Sequence, residues 1–296
     1  MFFDFIERFL LVAIVAVSIL LVGCGDNQDD ALDSTFELSA ESMITALSGS
    51  ADDHSGESYA SANLRKQNIA DLFLPKAYAA TCTRAALETC SSGVKTATYS
   101  NCDISGTLLS LDGSVTLTYS DSGCGMASAS DNVARTYDYT ITGPRGGNLQ
   151  VFSTALTDYR GTSISGGGKL TNTGSAWEIQ VLGKNKILKT AAGVTIMSHS
   201  IRTLSNVTVT GGLSRASRVM NGGQVEVNHN LAKFTAVYTP NNLQWSSTCC
   251  HPVSGNLSVT FDGTVTGTGS VVFNGCGSAT ISKDDKERTI TLSYCE

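Results

Sequence analysis

From Ser91 to the C-terminus, apolar and polar residues alternate with a period of two. Successive side chains of a β-strand point to opposite faces, so this alternation is typical of strands that bury one face. Clusters of glycine, proline and asparagine separate the alternating runs, as at 143–147 and 221–223, and such clusters favour turns. No convincing helical pattern interrupts the series, so the sequence predicts hairpin connections and a mostly antiparallel sheet. The clearest runs are 116–119, 137–141, 177–181, 207–210, 224–227, 257–261 and 289–292.

The number of these runs limits the fold class. We count about a dozen strands, which makes the fold mainly β. Twelve antiparallel strands with one solvent-exposed face can form a sandwich, a twisted meander or a half-barrel with a helical lid. We favour the sandwich or the twisted meander. Two or three short helices precede the strands. A capping-box pattern and apolar residues at helical spacing predict the first at 35–48. It docks on the body, lies on the membrane or, as we favour, forms only transiently, because an isolated helix of this length is marginal in water. The others are predicted at 61–73 and 76–91.

The N-terminus carries an apolar, charge-free run from Phe9 to Val22. A membrane-spanning helix needs roughly 20 apolar residues, so this run is short for a span. It ends in small residues, as the hydrophobic region of a secretory signal does. The sequence therefore predicts that the chain is exported.

The end of that run, Leu21-Val22-Gly23-Cys24, resembles the lipobox of bacterial lipoprotein precursors. The resemblance covers about two dozen residues and leaves the rest of the chain without a recognised family. It implies cleavage after Gly23, a diacylglycerol thioether on Cys24 and attachment to a membrane through that cysteine. Enteric lipoproteins kept in the inner membrane have Asp in the next position. Gly25 therefore implies attachment to the outer membrane. Both the periplasmic side and the cell-surface side of that membrane stay open as locations.

Charge divides the exported part of the chain. The segment 25–62 contains nine acidic residues and no Lys or Arg, whereas 63–296 contains 19 basic and 15 acidic residues. An acidic segment poor in apolar residues stays extended and solvated. We therefore predict a signal peptide at 1–23, an acidic flexible tether holding the first short helix at 24–61, and one disulfide-stapled β domain with N-terminal helices at 62–296.

Eight cysteines remain after Cys24, and an even number in an exported chain predicts four disulfides. A hairpin that turns at Asp112-Gly113 brings Cys102 within one residue of the position opposite Cys124. These two cysteines are therefore predicted to pair.

The C-terminal segment repeats this arrangement. A hairpin that turns at Asp285-Lys286 places Ala279 opposite Leu292, and the same register places Cys276 opposite Cys295. We predict a cross-strand disulfide between these two cysteines.

Four cysteines are left. If 76–91 is helical, Cys82 and Cys90 lie about 12 Å apart, too far for a disulfide. Cys249 and Cys250 are adjacent, and a disulfide between neighbours is strained. The sequence therefore predicts that the first two pair with the last two, in an order left open. A zinc site at 249–251 is the alternative, but it lacks paired C-x-x-C spacing, so no metal is predicted.

Basic residues are concentrated between Arg135 and Lys233, a segment with eleven basic residues and only four acidic ones. We favour a solvated strand face, and the functional alternative is a surface for anionic sugars or lipid head groups. No nucleic-acid partner is predicted, because no binding motif accompanies the charge. The arginines considered for anion binding are Arg145, Arg160, Arg202, Arg215 and Arg218.

No nucleophile elbow, HExxH, phosphate loop or dinucleotide fingerprint occurs, and no cofactor is predicted. Our first hypothesis is a non-enzymatic, membrane-anchored binding or structural module of the cell envelope or surface. The second is a carrier or chaperone of an apolar ligand such as a lipid, which predicts a lined pocket. The third is an envelope hydrolase without a recognisable motif, centred on His199 or His251.

Overall fold

The computed structural model of the chain describes residues 28–55, 90–103, 109–284 and 286–292. These residues form one helix, α1 (Gln28–Ser55), and seventeen strands. The strands are β1 (Val94–Asp103), β2 (Ser110–Tyr119), β3 (Asn132–Thr142), β4 (Asn148–Phe152), β5 (Leu156–Thr157), β6 (Ser163–Ile164), β7 (Gly167–Asn172), β8 (Trp177–Lys189), β9 (Thr195–Ser205), β10 (Val207–Thr210), β11 (Val219–Asn221), β12 (Gln224–His229), β13 (Phe234–Gln244), β14 (Ser254–Gly263), β15 (Gly267–Gly275), β16 (Ser278–Lys283) and β17 (Lys286–Thr291).

Fifteen strands belong to one sheet, and β5 and β6 form a separate ribbon. The main path is β1-β2-β3-β4-β8-β10-β11-β13-β14-β15-β16-β17. Off this path, β7 joins β3 to β8, while β9 and β12 lie in line between β8 and β13. All neighbours are antiparallel. The prediction of a mainly antiparallel β fold is therefore confirmed. A sandwich is not, because all but two strands share one hydrogen-bonded sheet.

The helix α1 is longer than the helix predicted at 35–48. Every residue from Ser39 to Ser48 is buried, and so is Ala51. Ten consecutive residues make nearly three turns at about 3.6 residues per turn, so protein covers every side of this part of the helix. This arrangement differs from the solvated spacer expected for 24–61.

α1 is the one helix among the described residues, where the sequence predicts two or three. The stretches predicted to be helical at 61–73 and 76–91 lie outside the described residues, apart from Cys90 and Ser91. Neither of those two is helical, and Ser91 forms a bridge with Val94.

The face of the sheet that contacts α1, called the inner face from here on, carries the apolar side of the alternation. Val225 pairs with Tyr238 and Val227 with Ala236 between β12 and β13, and all four are fully buried. A second inner-face cluster lies on β2, β3 and β4. It consists of Val115, Tyr137, Tyr139 and Val151.

The predicted turn at Asp112-Gly113 is wrong, because these residues lie inside β2. Gly113 has φ +120°, and a Cβ there would lie 2.2 Å from the carbonyl oxygen of Asp138 on β3. Glycine at this position permits the close approach of β3. The Asp112 carboxylate accepts a hydrogen bond of 2.5 Å from the backbone N–H of Asn101, where β1 bulges. The Asp-Gly signal therefore accompanies a bulge, which glycine also favours.

The predicted C-terminal hairpin is present with a different register. Lys283 pairs with Lys286 across a two-residue connection, and Ala279 pairs with Ile290 instead of Leu292. Asp284 has φ +51°, as primed two-residue turns require. A shift of two residues keeps the same side chains on the inner face, but it takes Cys276 out of the register predicted with Cys295.

Candidate functional site

α1 contacts the inner face through three hydroxyl side chains at positions i, i+3 and i+6. Each hydroxyl meets a polar side chain of a different strand, and all six residues are buried. We call them the polar seam. The pairs are the hydroxyls of Ser39 and Tyr238 (β13), Ser42 Oγ and His199 Nδ1 (β9) at 2.8 Å, and Thr45 Oγ1 with Lys186 Nζ (β8), which donates at 2.5 Å.

His199 of the polar seam packs against a second histidine, His229. The rings of His199 and His229 are 4.6 Å apart and meet edge to face, and His229 also packs on Phe234. Burial holds the pKa of His199 well below its usual value, and the charges of His229 and Lys186 lower it further. Burial also lowers the pKa of His229. Both imidazoles are therefore neutral at pH 7.

Ser42 and His199 place a hydroxyl beside an imidazole, the pairing that activates serine nucleophiles. Ser42 is 4% exposed and His199 is 0% exposed. With α1 in place, the pair therefore lacks contact with solvent and with any dissolved substrate. In this conformation its role is to join the helix to β9.

A β-bulge turns two lysines towards the inner face. Between β7 and β8, Gly167 pairs with Gly183 and Gly168 pairs with Val181, so Leu182 is an extra residue and its side chain is exposed. Beyond the bulge the alternation changes face. Lys184 and Lys186 therefore point inward and are buried. The Lys184 ammonium lies 5.3 Å from the centre of the Tyr137 ring, where a cation–π interaction stabilises it.

Replacing Gly183 by Ala is expected to lower the free energy of unfolding by about 2 kcal/mol. A Cβ there would lie 2.4 Å from the backbone nitrogen of Ser165, so backbone must move. The matched control is Gly143→Ala, whose Cβ would lie 3.5 Å from its nearest neighbour, the oxygen of Gly147. Urea unfolding of both variants tests the prediction, and equal midpoints would contradict it.

Two of the five arginines considered for anion binding belong to an ionic cluster on the other face of the sheet. Arg160 Nη2 and Arg202 Nε each donate to Glu226 Oε1 at 2.8 Å. Arg160 also lies 3.4 Å from Asp158, and both acids are buried. The cluster fastens the β5–β6 connection to β12, so these two arginines are already paired with carboxylates.

The other three arginines lie elsewhere. Arg145 is exposed in the β3–β4 turn. Arg215 and Arg218 are buried near the β13–β14 connection, where the Arg218 guanidinium lies 5.0 Å from the centre of the Trp245 ring. The structure therefore does not bring the five arginines into one surface.

His251 lies in the same connection and is buried. Trp245 Nε1 donates to the carbonyl of Cys250 at 3.0 Å, which fixes the loop around it. Burial, assisted by the charge of Arg215, lowers the pKa of His251 to about 4. A buried, neutral imidazole in a packed loop has a structural role here.

Acid is expected to destabilise the protein, because its buried histidines stay neutral when the unfolded chain takes up protons. Unfolded histidines bind protons below a pH of about 6.5, whereas His251 does so only near pH 4. Stability is thus lost as the pH falls through this window, by about 3 kcal/mol for His251 alone. Urea midpoints at pH 7.5 and 5 measure the part of this loss that falls above pH 5, about 2 kcal/mol for His251, and His251→Asn should reduce it. Equal midpoints at the two pH values would contradict the prediction.

The disulfides differ from those predicted. Cys90 pairs with Cys124 and Cys249 pairs with Cys276. The predicted pairs Cys102–Cys124 and Cys276–Cys295 are therefore wrong. The misplaced turn at Asp112-Gly113 explains the first error, and the shifted C-terminal register explains the second.

The predicted pairing of Cys82 and Cys90 with Cys249 and Cys250 is also wrong for Cys90 and Cys249. Cys102 and Cys250 are disulfide-bonded as well, to partners outside the described residues. Cys249 and Cys250 thus have no free thiolate for the zinc site considered at 249–251.

A cleft of about 270 Å³ opens beside β2 and β3. Six of its eight lining residues carry hydroxyl side chains. Its lining residues are Ser114, Thr116, Thr136, Tyr137, Asp138, Ser153, Thr154 and Gly166.

Within the parts of the chain that the structure describes, no helix has the length and apolar character needed to cross a membrane.

Comparison of the chain with protein-family models, with curated proteins and with solved structures finds no match. The polar seam is therefore the main guide to function among the described residues. Sequence analysis missed most of it. The one available signal was the spacing of the helix hydroxyls, which recur every third residue at Ser39, Ser42, Thr45 and Ser48.

Proposed function

We propose that this protein is an exported bacterial lipoprotein, anchored through Cys24, whose β domain is a non-enzymatic binding module of the cell envelope. The lipobox resemblance supports the anchor. The oxidised pairs Cys90–Cys124 and Cys249–Cys276 support export, because disulfides persist in oxidising compartments. Gly25 favours the outer membrane.

The observation that carries this proposal is the position of α1. The helix begins at Gln28, four residues after Cys24, and from Ser39 it is buried in the β domain. An acylated Cys24 would therefore be joined to this buried segment of the β domain by only fourteen residues, 25–38.

The ends of the sheet provide surfaces for a partner. Among the described strands, β1 pairs only with β2 and β17 only with β16. An edge strand presents unpaired backbone groups to which an extended segment of another protein can add. Thr98 on β1 and Thr289 on β17 are exposed there.

Metabolic labelling with an alkyne analogue of palmitate tests the anchor. We expect the wild-type chain to be labelled and to fractionate with the outer membrane, and Cys24→Ser to be unlabelled. Gly25→Asp should keep the label and move to the inner membrane. A wild-type chain that takes up no label would end the anchoring proposal.

Photo-crosslinking in living cells tests the binding module. A benzophenone amino acid replaces Thr98 or Thr289 at the edges, and Thr260, an exposed threonine on the central strand β14, is the matched control. We expect a discrete adduct from at least one edge position and none from the control. Adducts of equal yield at all three positions, or at none, would contradict binding at an edge.

A further inference from the structure

Half of the ten consecutive buried residues of α1 are polar. They are Ser39, Glu41, Ser42, Thr45 and Ser48. A helix enclosed on every side is normally apolar all round. Two of the three seam bonds, those to Tyr238 and His199, join neutral groups, and such a buried bond adds little net stability because both groups bond to water when apart. α1 is therefore held less tightly than an apolar helix of the same length.

Two polar atoms of this contact are not satisfied. Ser48 Oγ on α1 and His199 Nε2 on the inner face are buried and have no hydrogen-bond partner among the described residues. A polar atom that is buried without a partner loses its hydrogen bonds to water and forms no others in their place. Release of α1 would return both atoms to water, which lowers the cost of release further.

The inner face beneath α1 combines cations with apolar neighbours. Lys184 pairs across the sheet with Ile201, and Lys186 pairs with Val151. All four residues are buried. α1 also carries a buried acid, Glu41. The helix offers this face the hydroxyls of Ser39, Ser42 and Thr45.

We propose that the inner face of β8, β9 and β13 is a binding site for an anionic amphiphile, which α1 occupies and vacates when the ligand binds. The lysines 184 and 186 receive the anionic head, and the apolar inner-face residues receive the chain. Tyr238, His199 and Lys186 then exchange the hydroxyls of α1 for water or for the head group. This inference names a ligand class for the binding module proposed above. It rests on the proposed function in one respect: a protein of the cell envelope lies close to anionic amphiphiles.

Maleimide labelling of a buried cysteine on α1 tests the exchange. Ser48→Cys is nearly isosteric and leaves the three hydrogen bonds of the polar seam intact. Ser200→Cys is the matched control, because Ser200 is fully buried on the opposite face of β9 from His199, where Asn230 donates to it at 3.2 Å. Both rates are corrected for the labelling of the parent chain.

The full chain is used as it is isolated. If Cys24 is acylated, the protein is placed in phosphatidylcholine nanodiscs, and if it is not, the protein is kept in buffer. The labelling result therefore does not depend on whether the anchoring proposal is correct. The probes are dodecyl phosphate, dodecyl maltoside and inorganic phosphate, with both amphiphiles below their micelle concentrations. We expect dodecyl phosphate alone to raise the labelling rate of Ser48→Cys at least tenfold, with Ser200→Cys unchanged. Adding Lys186→Gln to Ser48→Cys should reduce the response at least fivefold.

Four results would overturn the proposal. The first is a labelling rate that no probe changes, and the second is an equal rise at both cysteines, which indicates general loosening of the fold. An equal response to dodecyl maltoside removes the anionic ligand class, and an equal response to inorganic phosphate removes the amphiphile. None of these results bears on acylation of Cys24.

Discussion

Replacing Leu47 by Ala is expected to lower the free energy of unfolding by about 3 to 5 kcal/mol. Leu47 is 0% exposed on α1, within the segment predicted from sequence to be a solvated tether. Truncation removes buried methyl groups and leaves a cavity that the packed surroundings fill only in part. The loss follows only if the second half of α1 is part of the folded core. Urea unfolding monitored by the fluorescence of Trp177 and Trp245 measures it.

The matched control is Leu231→Ala, the same substitution at a residue that is 48% exposed. This variant should lose less than about 1 kcal/mol, because little apolar surface is buried there. If the two variants unfolded at the same urea concentration, α1 would not contribute to the core in solution, and the proposed binding site beneath it would be vacant.

The existence of α1 was predictable, and its burial was not. Local signals, a capping box and apolar residues at helical spacing, predict a helix at 35–48. The sequence left open whether that helix docks on the β domain, lies on the membrane or forms only transiently. Ser39 and Ser42 in fact meet Tyr238 and His199, which follow 199 and 157 residues later. Contacts over such distances leave no local pattern.

The strands show the same division between local and long-range information. Alternation predicted the antiparallel sheet and, in β12 and β14, the side that is buried. It did not predict the bulge at Leu182, because the bulge depends on where β7 pairs with β8. One extra residue reverses the faces downstream. The alternation pattern therefore gave no indication that Lys184 and Lys186 lie in the interior.

The partners of Arg160 and Arg202 could not be predicted from the sequence, and the reason is electrostatic. A run of basic residues suggested a cationic surface, since counting charges along the chain ignores which acids fold back on them. Glu226 lies 24 residues beyond Arg202 and 66 beyond Arg160, yet it accepts hydrogen bonds from both. Buried carboxylates require such partners, so this acid determines what the two arginines do.

Removing the Cys249–Cys276 disulfide by a double substitution to Ala is expected to cost more than about 3.5 kcal/mol. That figure is the chain entropy released when a loop with a sequence separation of 27 is opened. Cys249 is also buried beside the loop that contains Trp245 and His251, so truncation there adds lost packing. Urea unfolding under non-reducing conditions measures the change.

The comparison is the double Ala variant of Cys90 and Cys124, whose sequence separation of 34 gives a similar entropic loss of about 3.8 kcal/mol. Both cysteines are only half-buried, so little packing is lost with them. The variant lacking Cys249–Cys276 should therefore unfold at the lower urea concentration, and its midpoint should show a weaker dependence on pH, because loosening the loop lets water reach His251. A lower midpoint for the Cys90–Cys124 variant would mean that the β13–β14 connection contributes less to stability than its burial indicates.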